Sequence, residues 1–213
     1  MGFGRVMPER SRVHEPVLVQ EVLDLLRPAP GEVFLDLTVG AGGHAARLLE
    51  QTGPEGRVLG ADRDPRILDE ARSNLERFGP RVILAQATSD KVEELVRSHR
   101  IDRFDGVLLD LGLSSLQIDD SRRGFSFQED GPLDMRMTPG KGPSARDLLE
   151  QSSAEELERI FREYGEEPGA RRIAQRLADL CRRRPPRTTG ELASFIASLV
   201  PGRLKGRLSL IHI

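Results

Sequence analysis

Short apolar runs alternate with amphipathic stretches along the first half of the chain. The apolar runs predict strands at residues 33–37, 57–61, 81–86 and 104–110. Apolar residues at helical spacing between them predict helices at residues 43–51, 65–77 and 89–98, with an earlier helix at residues 15–26. This alternation is typical of a parallel, doubly wound α/β sheet.

The second half of the chain loses the strand pattern. Residues 111–138 show no sustained period and are too many for an ordinary connection, so we expect this segment to be functional. Amphipathic stretches then predict helices at residues 144–150, 153–164, 169–183 and 189–199. Ser153 with Glu156, and Thr188 with Glu191, have the spacing of capping boxes at two of the helix starts. We interpret these helices as an inserted domain.

A glycine-rich turn follows the first predicted strand. Gly40, Gly42 and Gly43 interrupt the apolar run, and the helical period resumes directly after them. Ligands of open α/β sheets bind beyond the carboxyl ends of the strands, so the turn is a candidate site for a nucleotide-like cofactor. A tight structural turn is the alternative, and the glycines alone do not decide between the two.

Acidic residues end two further strands. Asp62 follows the second strand at the distance where such folds place the carboxylate that accepts ribose hydroxyls, and Asp110 ends the fourth strand at the same edge. These features fit both NAD and S-adenosylmethionine. The third glycine of the dinucleotide pattern is replaced by Ala45, and Asp36 lies four residues before Gly40. An acid followed by this loop resembles the first motif of S-adenosylmethionine-dependent methyltransferases.

Composition restricts the class of protein. The chain has 213 residues, of which 38% are hydrophobic and 31% charged, as in a globular protein. We expect a cytoplasmic location, because no run approaches the ~20 apolar residues of a membrane span and the first residues lack a signal core. Cys181 is the single cysteine and the four histidines are scattered, so we predict no disulfide and no metal site.

Positive charge is concentrated near the end of the chain. Residues 168–213 hold ten Lys or Arg against Asp179 and Glu191, a net charge of +8. Such a segment favours a phosphate-rich partner. A solvated helix face is the alternative, because charge runs often serve only solubility.

Longer motifs resemble one family of enzymes. The segments DGVLLDLGLSSLQIDD and RRGFSFQEDGPLDMRM are similar to the signature of the bacterial RsmH or MraW methyltransferases, which make N4-methylcytidine in small-subunit ribosomal RNA. HEPVLVQEVL, DLTVGAGGHAARLL, GADRDP, FREYGEE and ARRIA match in the same order, so the resemblance extends from His14 to about Gly202. It implies S-adenosyl-L-methionine as cofactor and 16S rRNA in the assembled small subunit as partner, and leaves a homodimer open.

The resemblance also implies a domain division. Residues 13–112 correspond to the Rossmann-like class I methyltransferase domain, with an incomplete sheet, and residues 113–207 to the signature loop and a helical insertion that recognises the substrate. Residues 1–12 are expected to be disordered. The sheet of this class normally has seven strands, so we expect the chain to be a fragment. Residues 208–213, LSLIHI, resemble a translated library adapter, and we expect an artefactual end.

Site residues follow from the resemblance position by position. Cofactor contacts are implied for seven residues: Gly42, Gly43, His44, Asp62, Thr88, Asp110 and Gln117. Thr88 stands where the family usually has an aromatic residue, which removes a stacking surface beside the adenine. Leu116 replaces a usual proline.

The expected chemistry is transfer of a methyl group to the exocyclic amine of cytosine. This amine is a poor nucleophile, because its lone pair is delocalised into the ring, so positioning must supply much of the rate. Asp110 is the candidate hydrogen-bond acceptor for the amine, assisted by Ser114 or Ser115. Phe125 or Phe127 could stack on a base presented away from its neighbours, or belong to the core of the small domain.

The sequence leaves two other functions open. An NAD-dependent oxidoreductase is favoured by the glycine turn with Asp62, but Ala45 and the lack of a plausible acid or base for hydride transfer disfavour it. A non-catalytic RNA-binding protein is favoured by the basic segment and the missing strands.

Overall fold

The computed structural model describes residues 16–126 and 128–199, which form two compact units that meet in sequence between Gly112 and Leu113. The predicted disordered start at 1–12, the tail at 208–213, His14 and Phe127 lie outside the described residues. Each unit is considered by itself.

A four-stranded parallel sheet forms the centre of the first unit, as the sequence predicts. Its strands are β1 (Val33–Asp36), β2 (Arg57–Asp62), β3 (Val82–Gln86) and β4 (Gly106–Leu108). Their order in the sheet is β3-β2-β1-β4, and β1 pairs in parallel with both β2 and β4. The helices of this unit are α1 (Val19–Leu26), α2 (Gly43–Gln51), α3 (Pro65–Leu75) and α4 (Val92–His99).

Helices cover both faces of the sheet. Successive side chains of a strand point to opposite faces, and Phe34 and Leu35 of β1 accordingly belong to different cores. Phe34 packs in a cluster with residues of α1, α2 and α3, whereas Leu35 packs with Leu95 of α4. The order of the strands in the sheet reverses between β1 and β4, because the chain runs outward from β1 through β2 to β3 and then returns to the other side of β1. Ligands of doubly wound sheets bind at this switch point.

The second unit is helical. It contains α5 (Ser115–Asp119), α6 (Ala145–Gln151), α7 (Ala154–Glu163), α8 (Ala170–Cys181) and α9 (Thr189–Leu199). Leu157 of α7 and Leu177 of α8 are fully buried at the centre of its core. An isolated bridge between Pro132 and Thr188 and the hydrogen bond from the Leu133 N–H to the Arg187 carbonyl (3.1 Å) attach the preceding segment to the start of α9.

The structure corrects the sequence predictions at two places. The segment 111–138 is not wholly irregular, because α5 and a 3-10 turn at Ser121–Arg123 lie inside it. The fourth strand is shorter than predicted, so that Asp110 lies two residues beyond the end of β4.

Strand β4 is at one edge of the sheet within the described residues, and Val107, Leu109 and Leu111 are exposed along it and just after it. No helix in the described part of the chain has the length and apolarity to cross a membrane.

Candidate cofactor site

The ends of β1 and β4 are joined by hydrogen bonds. The N–H of Leu37, the residue after β1, donates to the carbonyl of Leu108, the last residue of β4, at 3.0 Å. The Asp110 N–H then donates to Oγ1 of Thr38 at 2.7 Å, which holds the backbone of Asp110 against the loop after β1. The Asp110 carboxylate itself is largely exposed, with 62% of its side-chain surface accessible.

The end of β2 is tied to the same loop. Asp62 accepts the Gly40 N–H through Oδ2 at 3.2 Å and the Asp64 N–H through Oδ1 at 2.9 Å. Burial raises the pKa of Asp62, and its hydrogen bonds with backbone N–H groups oppose that rise. Each carboxylate oxygen has two lone pairs, so Asp62 retains capacity to accept hydroxyl groups of a ligand.

Packing within the protein explains why two of the turn residues are glycines. Gly42 has a φ of +90°, and a Cβ there would lie 2.7 Å from a methyl carbon of Leu75. A Cβ on Gly43 would lie 2.8 Å from the ring of Pro16. These contacts give the turn a structural reason to be glycine, so the ligand inference must rest on the polar groups around it.

His44 lies in the first turn of α2, next to Asp110. Its Nε2 is 4.0 Å from Oδ2 of Asp110, and the ring is buried. Burial lowers the pKa of His44, although the negative charge of Asp110 opposes the shift. The imidazole is therefore predominantly neutral at neutral pH, and its buried Nδ1 has no hydrogen-bond partner.

Asp36, at the end of β1, is a buried carboxyl group in the middle of this edge. Burial raises its pKa to about 7, and repulsion from Asp62 and Asp110 adds to the rise. Its Oδ1 accepts the Thr38 N–H at 3.1 Å, whereas its buried Oδ2 has no partner. Within the described residues, Oδ2 of Asp36 and Nδ1 of His44 are the two buried side-chain atoms left without a hydrogen bond. Both flank the glycine turn.

These groups define what the edge can hold. Three carboxyl groups lie at or just after the ends of three neighbouring strands, on Asp36, Asp62 and Asp110, and the negative charges of Asp62 and Asp110 add to the effect of burial in raising the pKa of Asp36. A ligand that carries positive charge and hydrogen-bond donors would relieve this repulsion and supply partners to the unpaired atoms. These acceptor groups therefore fit a cationic nucleoside, in which Asp62 would accept hydrogen bonds from the ribose hydroxyl groups.

Thr88 lies beside this edge, after β3. The neighbouring Ala87 N–H donates to the Asp62 carbonyl at 3.1 Å, and Thr88 itself precedes a 3-10 turn at Ser89–Lys91. Its position is consistent with the expected contact, but a threonine offers no ring for stacking.

The remaining predicted residues belong to the second unit. Ser114 and Gln117 form a capping box at the start of α5, in which the Ser114 hydroxyl accepts the Gln117 N–H and the Gln117 side chain accepts the Ser114 N–H. Ser115 is the first residue of α5. Phe125 is buried, with the guanidinium of Arg123 5.9 Å from its ring centroid, which fits the structural alternative for this residue. Roles in cofactor binding or catalysis stay predictions for Ser114, Ser115 and Gln117.

Sequence reasoning missed two residues that shape the turn. Thr38 holds Asp36 through its N–H and Asp110 through its hydroxyl. Asn74 of α3 donates from Nδ2 to the Ala41 carbonyl at 3.0 Å. The S-x-x-Q spacing of Ser114 and Gln117 was a signal that could have located α5.

The chain is similar to known methyltransferases. The model of the MraW methylase family matches residues 11–209. The ribosomal RNA small subunit methyltransferase H of Syntrophotalea carbinolica is 50% identical over 189 residues, which cover 89% of this chain and 60% of that protein. The enzymes of the same name from Trichlorobacter lovleyi and Beutenbergia cavernae are each 46% identical, covering 89% and 91% of this chain. The chain thus spans 59 to 61% of the length of these relatives.

The packing around Gly42 predicts a specific sensitivity to substitution. Gly42→Ala should lower the free energy of unfolding by about 1–3 kcal/mol more than Gly53→Ala. Both glycines have positive φ, but only the new methyl group at Gly42 meets other atoms, since nothing lies within 4 Å of a Cβ at Gly53. Urea unfolding followed by circular dichroism measures the difference, and equal losses for the two variants would contradict the packing argument.

The buried Asp36 predicts a pH-dependent stability. Because its folded pKa is raised from 3.8 to about 7, the Asp36 contribution to stability is complete below the unfolded pKa and is lost as the pH rises through the folded one. Asp36→Asn mimics the protonated carboxyl group at every pH. The stability of the variant relative to the parent should therefore rise between about pH 4 and 7 and level off above pH 7, at a gain of up to about 4 kcal/mol.

Urea unfolding of both proteins at a series of pH values tests this prediction. The exposed Asp102→Asn is the control, and it should follow the parent at every pH. A parent and an Asp36→Asn protein whose stabilities run parallel across the range would show that Asp36 titrates normally.

Proposed function

This chain belongs to the MraW methylase family, and on that premise we propose that it is part of a longer, S-adenosyl-L-methionine-dependent rRNA methyltransferase. Its substrate is the N4 amine of a cytidine in the decoding centre of 16S rRNA, presented in the assembled small ribosomal subunit in the cytoplasm. The observation that carries this proposal is the 50% identity to a small subunit methyltransferase H over 89% of the chain. The polar groups at the strand ends support it independently.

Charge supports S-adenosylmethionine over a nicotinamide dinucleotide. S-adenosylmethionine carries a sulfonium and an ammonium against one carboxylate, and its net positive charge suits an edge with three carboxyl groups. A dinucleotide would bring a pyrophosphate with two negative charges to the same place. That charge would be repelled by Asp62 and Asp110 and would raise the pKa of Asp36 further.

Residues of the first unit have distinct roles in this proposal. Asp62 accepts the ribose hydroxyls, and the turn at Gly42 and Gly43 allows close approach of the ligand to the backbone. Asp36 and His44 supply the buried atoms that lack partners among the described residues. Thr88 would adjoin the adenine, and Gln117 is a further proposed contact that rests on the family resemblance. The bound cofactor supplies an electrophilic methyl group.

Asp110 has the properties of a hydrogen-bond acceptor for the cytosine amine. Its backbone is fixed by the hydroxyl of Thr38, whereas its carboxylate is exposed and free to meet a substrate. The neutral ring of His44, 4.0 Å away, does not neutralise the carboxylate. Asp110 would orient the amine by accepting a hydrogen bond from its N–H as the nitrogen becomes pyramidal, and would take the proton that the methylated nitrogen loses, with Ser114 or Ser115 assisting.

Nucleoside mass spectrometry tests the proposed reaction. Small ribosomal subunits that lack the modification are incubated with S-adenosylmethionine and either this chain or the product of the complete gene. We expect N4-methylcytidine in 16S rRNA with the complete product. Methylation at another atom, or none, would refute the proposed substrate. Calorimetric titration with S-adenosylmethionine and with NAD separates the enzyme classes, since only the former should bind.

Replacing Asp110 tests its role directly. In the complete enzyme, Asp110→Asn should lower kcat at saturating cofactor by about 10²–10⁴-fold, because an amide is a much weaker proton acceptor than a carboxylate. Asp102→Asn removes the same charge before the start of β4, at the opposite end of the strand from Asp110, and should leave kcat unchanged. Near-normal turnover of Asp110→Asn would exclude the acceptor role and leave Asp110 as a cofactor contact at most.

A further inference from the structure

The arginines of the second unit fall into two groups. Those on α6 and α7, and several in the connecting segments, pair with a nearby acid; on α7, Arg159 pairs with Glu163 and Arg162 with Glu158. The guanidinium groups of five others have no ion pair or hydrogen bond anywhere in the described part of the chain. These five are exposed and follow one another along α8 and the turn after it: Arg171, Arg172, Arg176, Arg183 and Arg187.

The arginines of α8 are directed away from the protein core. Ile173, Ala174, Leu177 and Ala178 form the buried face of the helix and pack in the core that α7 shares. Arg172 and Arg176 are four residues apart, so they are neighbours on the exposed side of the helix. Together they present two positive charges to solvent about 6 Å apart along the helix axis.

Helix stability does not explain this arrangement. Like charges four residues apart destabilise a helix, and Arg171 and Arg172 lie in the first turn of α8, where the helix dipole disfavours positive charge. That first turn contains no acidic residue, and the N-cap Gly169 provides no side-chain hydrogen bond. The acidic residue nearest in sequence to this first turn is Glu167, whose carboxylate accepts the Gly169 N–H at 2.8 Å. Residues that lower the stability of their helix without making a stabilising contact elsewhere in the protein are typical of functional surfaces.

The turn after α8 holds its arginines on a fixed backbone. The N–H groups of Arg183 and Arg184 both donate to the Leu180 carbonyl, at 2.9 and 2.8 Å. The Arg187 N–H donates to the Glu191 carboxylate at 2.8 Å, and its carbonyl accepts the Leu133 N–H. A fixed backbone lowers the entropy that these side chains lose when they bind a partner.

We propose that this set of five residues, the α8 arginine face, binds the sugar-phosphate backbone of the rRNA substrate. The inference rests on the proposed function and adds to it the residues that hold the RNA. Phosphate contacts position a nucleic acid without reading its sequence, and their number sets the salt dependence of binding. An anionic membrane is a poorer match, because an interfacial helix inserts an apolar face and that of α8 is already buried in the protein.

Salt-dependent RNA binding by the full chain tests the proposal. The probes are a fluorescein-labelled hairpin with the decoding-centre sequence of 16S rRNA and an unrelated RNA hairpin of the same length. Arg172→Gln with Arg176→Gln should weaken binding of both hairpins several-fold and reduce the slope of log K against log salt by about 1 for each arginine. Arg159→Gln with Arg162→Gln is the control, since it removes the same charge from ion-paired arginines of α7 and should keep the parent slope.

Stability separates binding from folding. The Arg172 and Arg176 double variant should keep or raise the melting temperature, because it removes a repulsion, whereas the α7 double variant should lower it. Equal effects of the two double variants on RNA binding, or no effect of either, would overturn the proposal. So would a loss confined to one hairpin, or binding to phosphatidylserine vesicles that depends on Arg172 and Arg176 while RNA binding does not.

The methylation assay of the complete enzyme reports on the proposed function independently. A product without N4-methylcytidine refutes that function whatever the salt slopes, and unchanged slopes beside normal methylation refute only the α8 arginine face.

Discussion

Parallel pairing of β1 with both β2 and β4 is the constraint on which the first unit depends. It brings three strand ends to one edge and leaves the Asp36 carboxyl group buried between its neighbours. The loop after β1 must then turn sharply. Its N–H groups at Thr38 and Gly40 donate to the carboxylates of Asp36 and Asp62, and the Thr38 hydroxyl accepts the Asp110 N–H. The geometry of the candidate site is thus a consequence of strand order.

Hydrophobic period was sufficient to predict the sheet, because strands buried on both faces stand out as continuous apolar runs between amphipathic helices. It failed at α5, whose five residues are too few to show a helical period. Asp62 and Asp110 could be selected from sequence because acids at strand ends share an edge. Thr38 and Asn74 could not, since their contacts with the turn depend on how the loop and α3 pack.

Each of the two units gathers charged groups of one sign at one place. In the first, carboxyl groups gather at the strand ends, where burial and the charges of Asp62 and Asp110 raise the pKa of Asp36. In the second, the guanidinium groups along α8 have no ion pair with any described residue, while those of α7 are paired with glutamates four residues away. A single net charge of −2 for the chain conceals this separation. The proposed cationic cofactor and the proposed RNA contact match these two charges.

The exposed edge at β4 affects how the chain behaves at high concentration. Val107 is 55% exposed and Leu111 74% exposed, beside backbone groups that no neighbouring strand covers within the described residues. An uncharged, apolar edge of this kind is a template for adding strands from other molecules. We therefore expect a concentrated solution of this chain to lose material through strand addition at β4.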